Sequence, residues 1–505
     1  MNQISKKFRT TLARFMSVKF RLRKQWLLLF LLIPASVSFV NAQDIEVNLP
    51  DTHSLSLEQA IHLSVANNPE IKRALLLVED ADQQVRLAWS EVLPEVTTSA
   101  TYTRNVEIPV NFVPARAFDP NAPEDELVPL QFGTDNNWQG GVTVSQNIFR
   151  GEAIVGISSS ALYKSAQQEN MRATIQQIIT QSRKAYHAAL VARERHRLQV
   201  TTVERLEENL RENRLRLQAG LIDEYDVLRL EVQLANQEPQ LVEAQLEIEE
   251  SFRNLKEIMG LPLDLEMEIE GNLSEYEVNQ TENQQNENDG IRRIDQATPL
   301  PVAEDNHTLN IMRENRGDLR ALQVQEDLKD REIMALKSRF LPTITADYNL
   351  QWTSAQAGSP RPFENEVRYQ TLVFNVSFPL FTGFQRMANF DIAQIEKKDI
   401  QVQQWATEKM ALNEHESALN RIYNLKETVS ARRHAVEQAQ RGYEIATRRL
   451  SNGIGSQLDV SEAELQVREA ELNYALLVFE YLDAKADFDL SIGLVPLIDS
   501  TDYEF

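Results

Sequence analysis

The 505-residue chain contains no cysteine, which excludes disulfide staples, cysteine-ligated zinc, iron–sulfur clusters and thiol catalysis. Glycine and proline are scarce, at 16 and 18 residues, about half of average usage. That scarcity argues against a loop-rich all-β protein and for long uninterrupted helices. The seven histidines are scattered, without the H-E-x-x-H or paired spacing of a metal site. No G-x-S-x-G and no phosphate-cradling loop is present. The sequence therefore predicts no enzyme, no cofactor and no metal. Past the first 42 residues there is no run of 18 apolar residues. Any membrane-spanning part of the mature chain must then be β-barrel, the alternative that satisfies every backbone group without a spanning helix.

Formal net charge is −23, and residues 1–42 hold eight Lys/Arg and no acid, so the remainder carries −31. A body that acidic is repelled by phosphate backbones, which argues against nucleic-acid partners. Residues 1–42 read as a secretory signal. A basic stretch from Lys6 to Lys24 precedes an apolar run from Trp26 to Val40, and Val40-Asn41-Ala42 forms a small-residue cleavage site. The apolar run includes Pro34 and falls short of the roughly 20 residues a spanning helix requires. Gln43, not cysteine, follows the site, so a lipoprotein anchor is excluded.

The mature chain repeats itself. RLQAGLIDEYDVLRLEVQLA from Arg216 and RLSNGIGSQLDVSEAELQVR from Arg449 align Gly220 with Gly453, Asp226 with Asp459 and Val227 with Val460 at a shift of 233. Gly260 and Gly493 keep that shift. VSQNIF (Val144 to Phe149) matches VSFPLF (Val376 to Phe381), and Leu93-Pro94 matches Leu341-Pro342. We read residues 43–260 as one repeat and 309–493 as the second, with a linker at 261–308 and a tail at 494–505. The linker's NQTENQQNENDG core is low-complexity and reads as a loop.

Each repeat reads helix, strand, strand, long helix, Gly turn, helix. Ile344, Ala346, Tyr348, Leu350 and Trp352 alternate with Thr343, Thr345, Asp347, Asn349 and Gln351. Similar alternation predicts strands at about 94–104, 138–149, 342–352 and 368–380. The polar, Pro-containing connections Asn105 to Asn137 and Ser354 to Val367 read as loops. An apolar face, a polar face and aromatic outer ends fit a lipid-facing barrel, although a half-buried soluble sheet alternates in the same way. Long helices are predicted at 151–219 and 383–452, each a rod of roughly 105 Å at 1.5 Å per residue. Return helices follow at 223–259 and 456–492. Heptads such as Val460, Val467, Tyr474 and Leu477, mirrored by Val227, Leu234, Leu241 and Ile248, predict coiled-coil packing. Pro239 predicts a kink or local break in the first return helix.

Four strands cannot close a barrel, so closure needs several copies: two give eight strands, and three give twelve with room for a passage. At this point the sequence resembles the TolC-type outer-membrane efflux family across essentially the whole mature chain. LSLEQAIHLSVANNPEI (Leu55 to Ile71), its echo RENRGDLRAL (Arg313 to Leu322), the Leu-Pro strand entries, the strand ends and both Gly turns carry the resemblance. It implies a mostly α fold in which a homotrimer shares a twelve-stranded outer-membrane β-barrel, four strands per chain, continuous with a periplasmic α-helical barrel. It also implies contact with outer-membrane lipid, a periplasmic adaptor (membrane fusion) protein, and an inner-membrane pump of the RND, ABC or MFS type. The host is then a Gram-negative bacterium.

Two sets of site residues follow. Asp459 and Glu462, one helical turn apart, match positions where the family carries an acidic ring constricting the inner end of the tube. Glu stands at 462 where the family's best-known member has Asp, which keeps the charge and changes its reach. Ser456-x-x-Asp459 also reads as a helix capping box, and Asp223 and Asp226 fit the same mould. Arg216, Leu217, Gly220 and Leu221, with Arg449, Leu450, Gly453 and Ile454, form the two tip turns that the resemblance assigns to adaptor contact. Glycine at a left-handed C-cap explains the Gly positions equally well. The favoured function is a passive exit duct for efflux or type I secretion. The alternative is a non-conducting periplasmic coiled-coil scaffold or adaptor.

Overall fold

The computed structural model describes residues 54–108, 110–273, 305–361, 364 and 366–495. Residues 1–53, which hold the signal segment, residues 274–304, which hold the low-complexity part of the linker, and residues 496–505 lie outside them. A two-residue strand β1 (Ser54–Leu55) leads into α1 (Leu57–Asn67), α2 (Pro69–Ser90), β2 (Glu95–Arg104), β3 (Val110–Pro114), β4 (Leu127–Gln131), β5 (Asn136–Phe149), α3 (Gly151–Gln218) and α4 (Glu224–Ile258). After β6 (Glu268–Ile269) come α5 (Asp305–Asn315), α6 (Gly317–Ser338), β7 (Thr343–Gln356), β8 (Val367–Ser377), α7 (Gln385–Ser451) and α8 (Gln457–Ile492). The halves match helix for helix: 11 and 11 residues, 22 and 22, 68 and 67, 35 and 36.

Local chemistry sets several of these ends. Ser56 and Gln59 form a reciprocal capping box that starts α1. Asn68 then ends α1 and caps α2, accepting from the Glu70 N–H at 2.8 Å, with Pro69 at the first helical position where its missing N–H costs nothing. The Asn68 side chain also donates to the Ile258 carbonyl at 2.8 Å, tying this break to the end of α4. Gly260 and Gly493 close α4 and α8 in corresponding ways. A Cβ on Gly260 would lie 2.6 Å from the Asn67 carbonyl oxygen, and one on Gly493 would lie 2.6 Å from the Arg316 nitrogen. Each repeat thus packs a bare backbone against the break between its two short helices.

The main sheet is antiparallel with order β2-β5-β7-β8. Its register sorts side chains into two faces. Val96, Val144, Tyr348 and Leu372 lie in one cross-strand row, with Val142 and Leu350 paired in the next row on the same face. The opposite face carries the row Thr97, Thr143, Asn349 and Thr371, where Thr143 Oγ1 donates to Asn349 Oδ1 at 2.9 Å. At one end of the sheet Tyr102 stacks on Trp138 at 4.3 Å and donates to the buried Asn136 at 2.7 Å.

Two expectations need correction. The connection from Asn105 to Asn137 is not simply a loop, because β3 and β4 pair within it as an antiparallel ribbon. Prolines at 114, 120, 123 and 129 hide the alternation there, yet a two-stranded ribbon accommodates Pro129 because each strand has a free edge. The second correction concerns Pro239, through which α4 continues without a break. Both Pro239 and Ala235, whose carbonyl loses its usual donor, are exposed, so water can satisfy that carbonyl.

The heptad positions named from the sequence are buried or half-buried. α3 packs on α4, α7 on α8, and α3 on α8, giving a helical row α4-α3-α8-α7, with α2 and α6 against α3 and α6 also against α7. The largest core cluster gathers Leu55, Tyr186, Leu190, Leu255, Met259 and Val478 together with Leu261, Met267, Ile269 and Leu273. The start of the linker is therefore core, held by the parallel pair β1–β6. The Tyr186 hydroxyl lies 3.0 Å from the Leu55 carbonyl and 2.7 Å from that of Glu270, donating to one at a time. Among the described residues no helix is long and apolar enough to cross a membrane.

Candidate functional site

The Gly turns joining α3 to α4 and α7 to α8 have the same hydrogen-bond pattern. In the first, Leu221 N–H donates to the Arg216 carbonyl and Gly220 N–H to that of Leu217, both at 2.9 Å. In the second, Ile454 N–H donates to Arg449 and Gly453 N–H to Leu450, both at 3.0 Å. Gly220 and Gly453 have φ of 71° and 74°. This is the Schellman termination, in which a residue in the left-handed region lets two N–H groups reach back to otherwise orphaned carbonyls. The eight tip residues singled out in the sequence occupy its four positions twice over. Arginine in the final helical turn also complements the negative end of the helix dipole.

The motif accounts for the glycines and leaves its apolar residues unexplained. Leu221 and Ile454 are 74% and 69% exposed, where a Schellman turn ordinarily packs that residue back onto its helix. A Cβ added at Gly220 or Gly453 meets nothing within 4 Å, so both tips present open, partly apolar surface.

Asp459 and Glu462 stand in the first turns of α8, both exposed. Asp459 caps reciprocally: its N–H donates to Ser456 Oγ at 3.2 Å, and its Oδ2 accepts from the Ser456 N–H at 3.0 Å. The backbone N–H of Ser456, then its side chain and the charge of Arg449, hold the Asp459 carboxyl below its usual range, so it stays ionised as pH falls. Glu462 makes no hydrogen bond or ion pair among the described residues. The first repeat differs from its expected mould, because Asp223 caps α4 without a side-chain hydrogen bond. In the first repeat Asp223 stands in place of Ser456, and a reciprocal pair there would bring its carboxylate against that of Asp226, so only the second repeat builds one.

The two hairpins are tied behind this acidic end. Arg468 donates to Gln237 at 2.6 Å, Ser461 to Gln233 at 3.4 Å, and the Arg205 guanidinium lies 5.6 Å from the Tyr443 ring centroid. Nearer the core, Arg183 pairs with Asp489 at 2.7 Å, and Lys184 and Arg421 share Asp483 and Asp487, linking α3, α8 and α7. The sequence reading passed over Glu464, which is 5% exposed between the hairpins. Its signal was its place in the E-A-E run: two residues from Glu462, it faces the opposite side of α8.

At 20% identity over 460 residues, the chain is similar to the alkaline protease secretion protein AprF of Pseudomonas aeruginosa, covering 90% of this chain and 87% of that protein. Its fold is similar to that of the Campylobacter jejuni outer membrane channel CmeC, with a TM-score of 0.68 at 19% identity over 86% of this chain and 85% of that one. It is also similar to the open state of the Neisseria gonorrhoeae outer membrane channel MtrE, with a TM-score of 0.66 at 17% identity over 87% and 89% of the two chains. The sequence pattern of the outer membrane efflux proteins matches residues 60–261 and 308–494, one block in each repeat. With both repeats matched in order, the chain belongs to the outer membrane efflux protein family.

Proposed function

We propose that three copies of this chain form the outer-membrane exit duct of a tripartite efflux or type I secretion system in a Gram-negative bacterium. The observation that carries this reading is that sheet and helices are both left open. The sheet order exposes one edge of β2 and one of β8, and an unpaired edge does not survive in lipid. The helical row likewise ends on α4 and α7. Along the stretch where α7 lies beside α8, both end helices carry exposed apolar side chains, Val232, Val242 and Leu246 on α4 and Tyr423 and Ile445 on α7, each at 54% or more. A ring of identical copies joins β8 to β2 and α7 to α4 of the next copy, giving each open end a partner. Three copies supply twelve strands and leave a passage, with the apolar sheet face toward lipid and the Thr/Asn/Gln face lining the lumen.

In this reading the helical tube stands in the periplasm, and the ring of Asp459 and Glu462 narrows its inner aperture. The carboxylates favour cations there, and Asp459 both caps its helix and supplies charge. The exposed tip turns receive a periplasmic adaptor, and the duct is passive, its cargo chosen by the inner-membrane pump. Trimers extracted from outer membranes with detergent should conduct as single channels in planar bilayers and lose conductance when dissociated by heat. A soluble, monomeric, non-conducting product would overturn the duct in favour of a periplasmic scaffold.

A further inference from the structure

Glu464 faces a cavity of about 140 Å³ in the seam where α8 meets the first hairpin. Thr202 of α3, Gln233 and Gln237 of α4, and Ser461 and Arg468 of α8 line it with polar groups. That is room for several waters in a setting polar enough to hold them. The Glu464 Oε1 atom is buried without a hydrogen-bond partner among the described residues. The groups that could pair with it are turned to others: Arg468 to Gln237, Ser461 to Gln233, and Arg205 to the Tyr443 ring.

Two charged groups act on this carboxyl, Arg205 from α3 and Arg468 from its own helix. α4 presents the neutral amides of Gln233 and Gln237, and α7 presents the Tyr443 ring beside Arg205. An ionised carboxylate in this seam exchanges bulk hydration for a few confined waters and no protein donor to its Oε1, which costs it more than it costs the neutral acid.

We propose that Glu464 and its cavity form a proton-binding site between the two hairpins, holding the seam shut when the carboxyl is neutral and admitting water when it ionises. The consequence for transport rests on the duct reading: Asp459 and Glu462 lie at the start of the same helix, so a loosened seam frees the aperture to widen. Burial raises the Glu464 carboxyl above its ordinary value of 4.5, and the two arginines oppose this only in part. The stabilisation is therefore complete below about pH 4.5 and is lost as pH rises through the elevated value.

The test is hydrogen–deuterium exchange of detergent-solubilised full-length trimers from pH 4 to 8, corrected for intrinsic exchange and read over Leu458 to Arg468. Single-channel conductance is recorded in parallel. Wild-type protection should fall with rising pH, by at most roughly tenfold per unit for one proton, and then level off. Glu464→Gln, permanently neutral, should hold the low-pH protection throughout, while Glu469→Gln, exposed on the same helix, should follow wild type. Flat protection in wild type overturns the proposal without any variant. An unchanged titration in Glu464→Gln overturns it as well. Protection that titrates in a trimer conducting at no pH would instead overturn the duct and leave the proton site standing.

Discussion

Whether Asp459 only ends a helix or also charges an aperture can be decided by separating its two bonds. Ser456→Ala deletes the hydroxyl that accepts the Asp459 N–H at 3.2 Å and leaves the carboxylate in place. Loss of a Ser cap costs about 1 kcal/mol, which is roughly a fivefold increase in fraying of the first turn of α8. Asp459→Asn does the reverse. It removes the charge and keeps an amide oxygen able to accept from the Ser456 N–H, now bonded at 3.0 Å. The assay is single-channel current with multivalent cations added on the periplasmic side. Ser456→Ala should leave block within about twofold of wild type while amide exchange at Gln457 to Val460 rises. Asp459→Asn should weaken block by roughly tenfold or more, because the attraction depends on charge rather than on helix order. Adding Glu462→Gln should weaken it further and raise resting conductance. In wild type, block should weaken as pH falls and the ring takes up protons. Equal loss of block in Ser456→Ala and Asp459→Asn, or none in the latter, would refute the acidic ring.

Two further outcomes test the sheet faces and the tips. Leu372→Arg places a charge on the apolar face and should cost about 2–4 kcal/mol near the bilayer midplane, reducing the yield of heat-modifiable trimer in outer membranes. Thr371→Arg, on the opposite face, should insert normally and alter ion selectivity; equal insertion defects would show that the faces are misassigned. Gly220→Arg and Gly453→Arg should each cost roughly 1–2 kcal/mol for left-handed backbone in an L-residue and nothing for clash, since the space is open. Trimers should still reach the membrane while export, read as drug susceptibility or secreted protein, fails. Loss of trimers instead would assign the glycines to folding alone.

Much of this molecule is local, and what is local was readable. Long Gly- and Pro-poor segments with heptads dictate long helices, because a seven-residue apolar period is a stripe only on an α-helix. The alternation around Tyr348 and the Gly turns are likewise written in neighbouring residues, and the duplication in short motifs that recur at a shift of 233. The β3–β4 ribbon was missed because its prolines mask a pairing between segments more than ten residues apart. The core role of Leu261 to Leu273 was missed because it depends on Tyr186, far away in the chain.

The sequence by itself determined the repeat, the two kinds of segment and the acids and glycines at the turns, since each depends on spacing along one chain. Only the tertiary structure decided that Val96, Val144, Tyr348 and Leu372 share a face, that the sheet and the helical row both end open, and which of the two opposed acids, Glu462 and Glu464, meets the first hairpin. These are matters of register and rotation between elements, set by packing across the fold, and no run of adjacent residues records them.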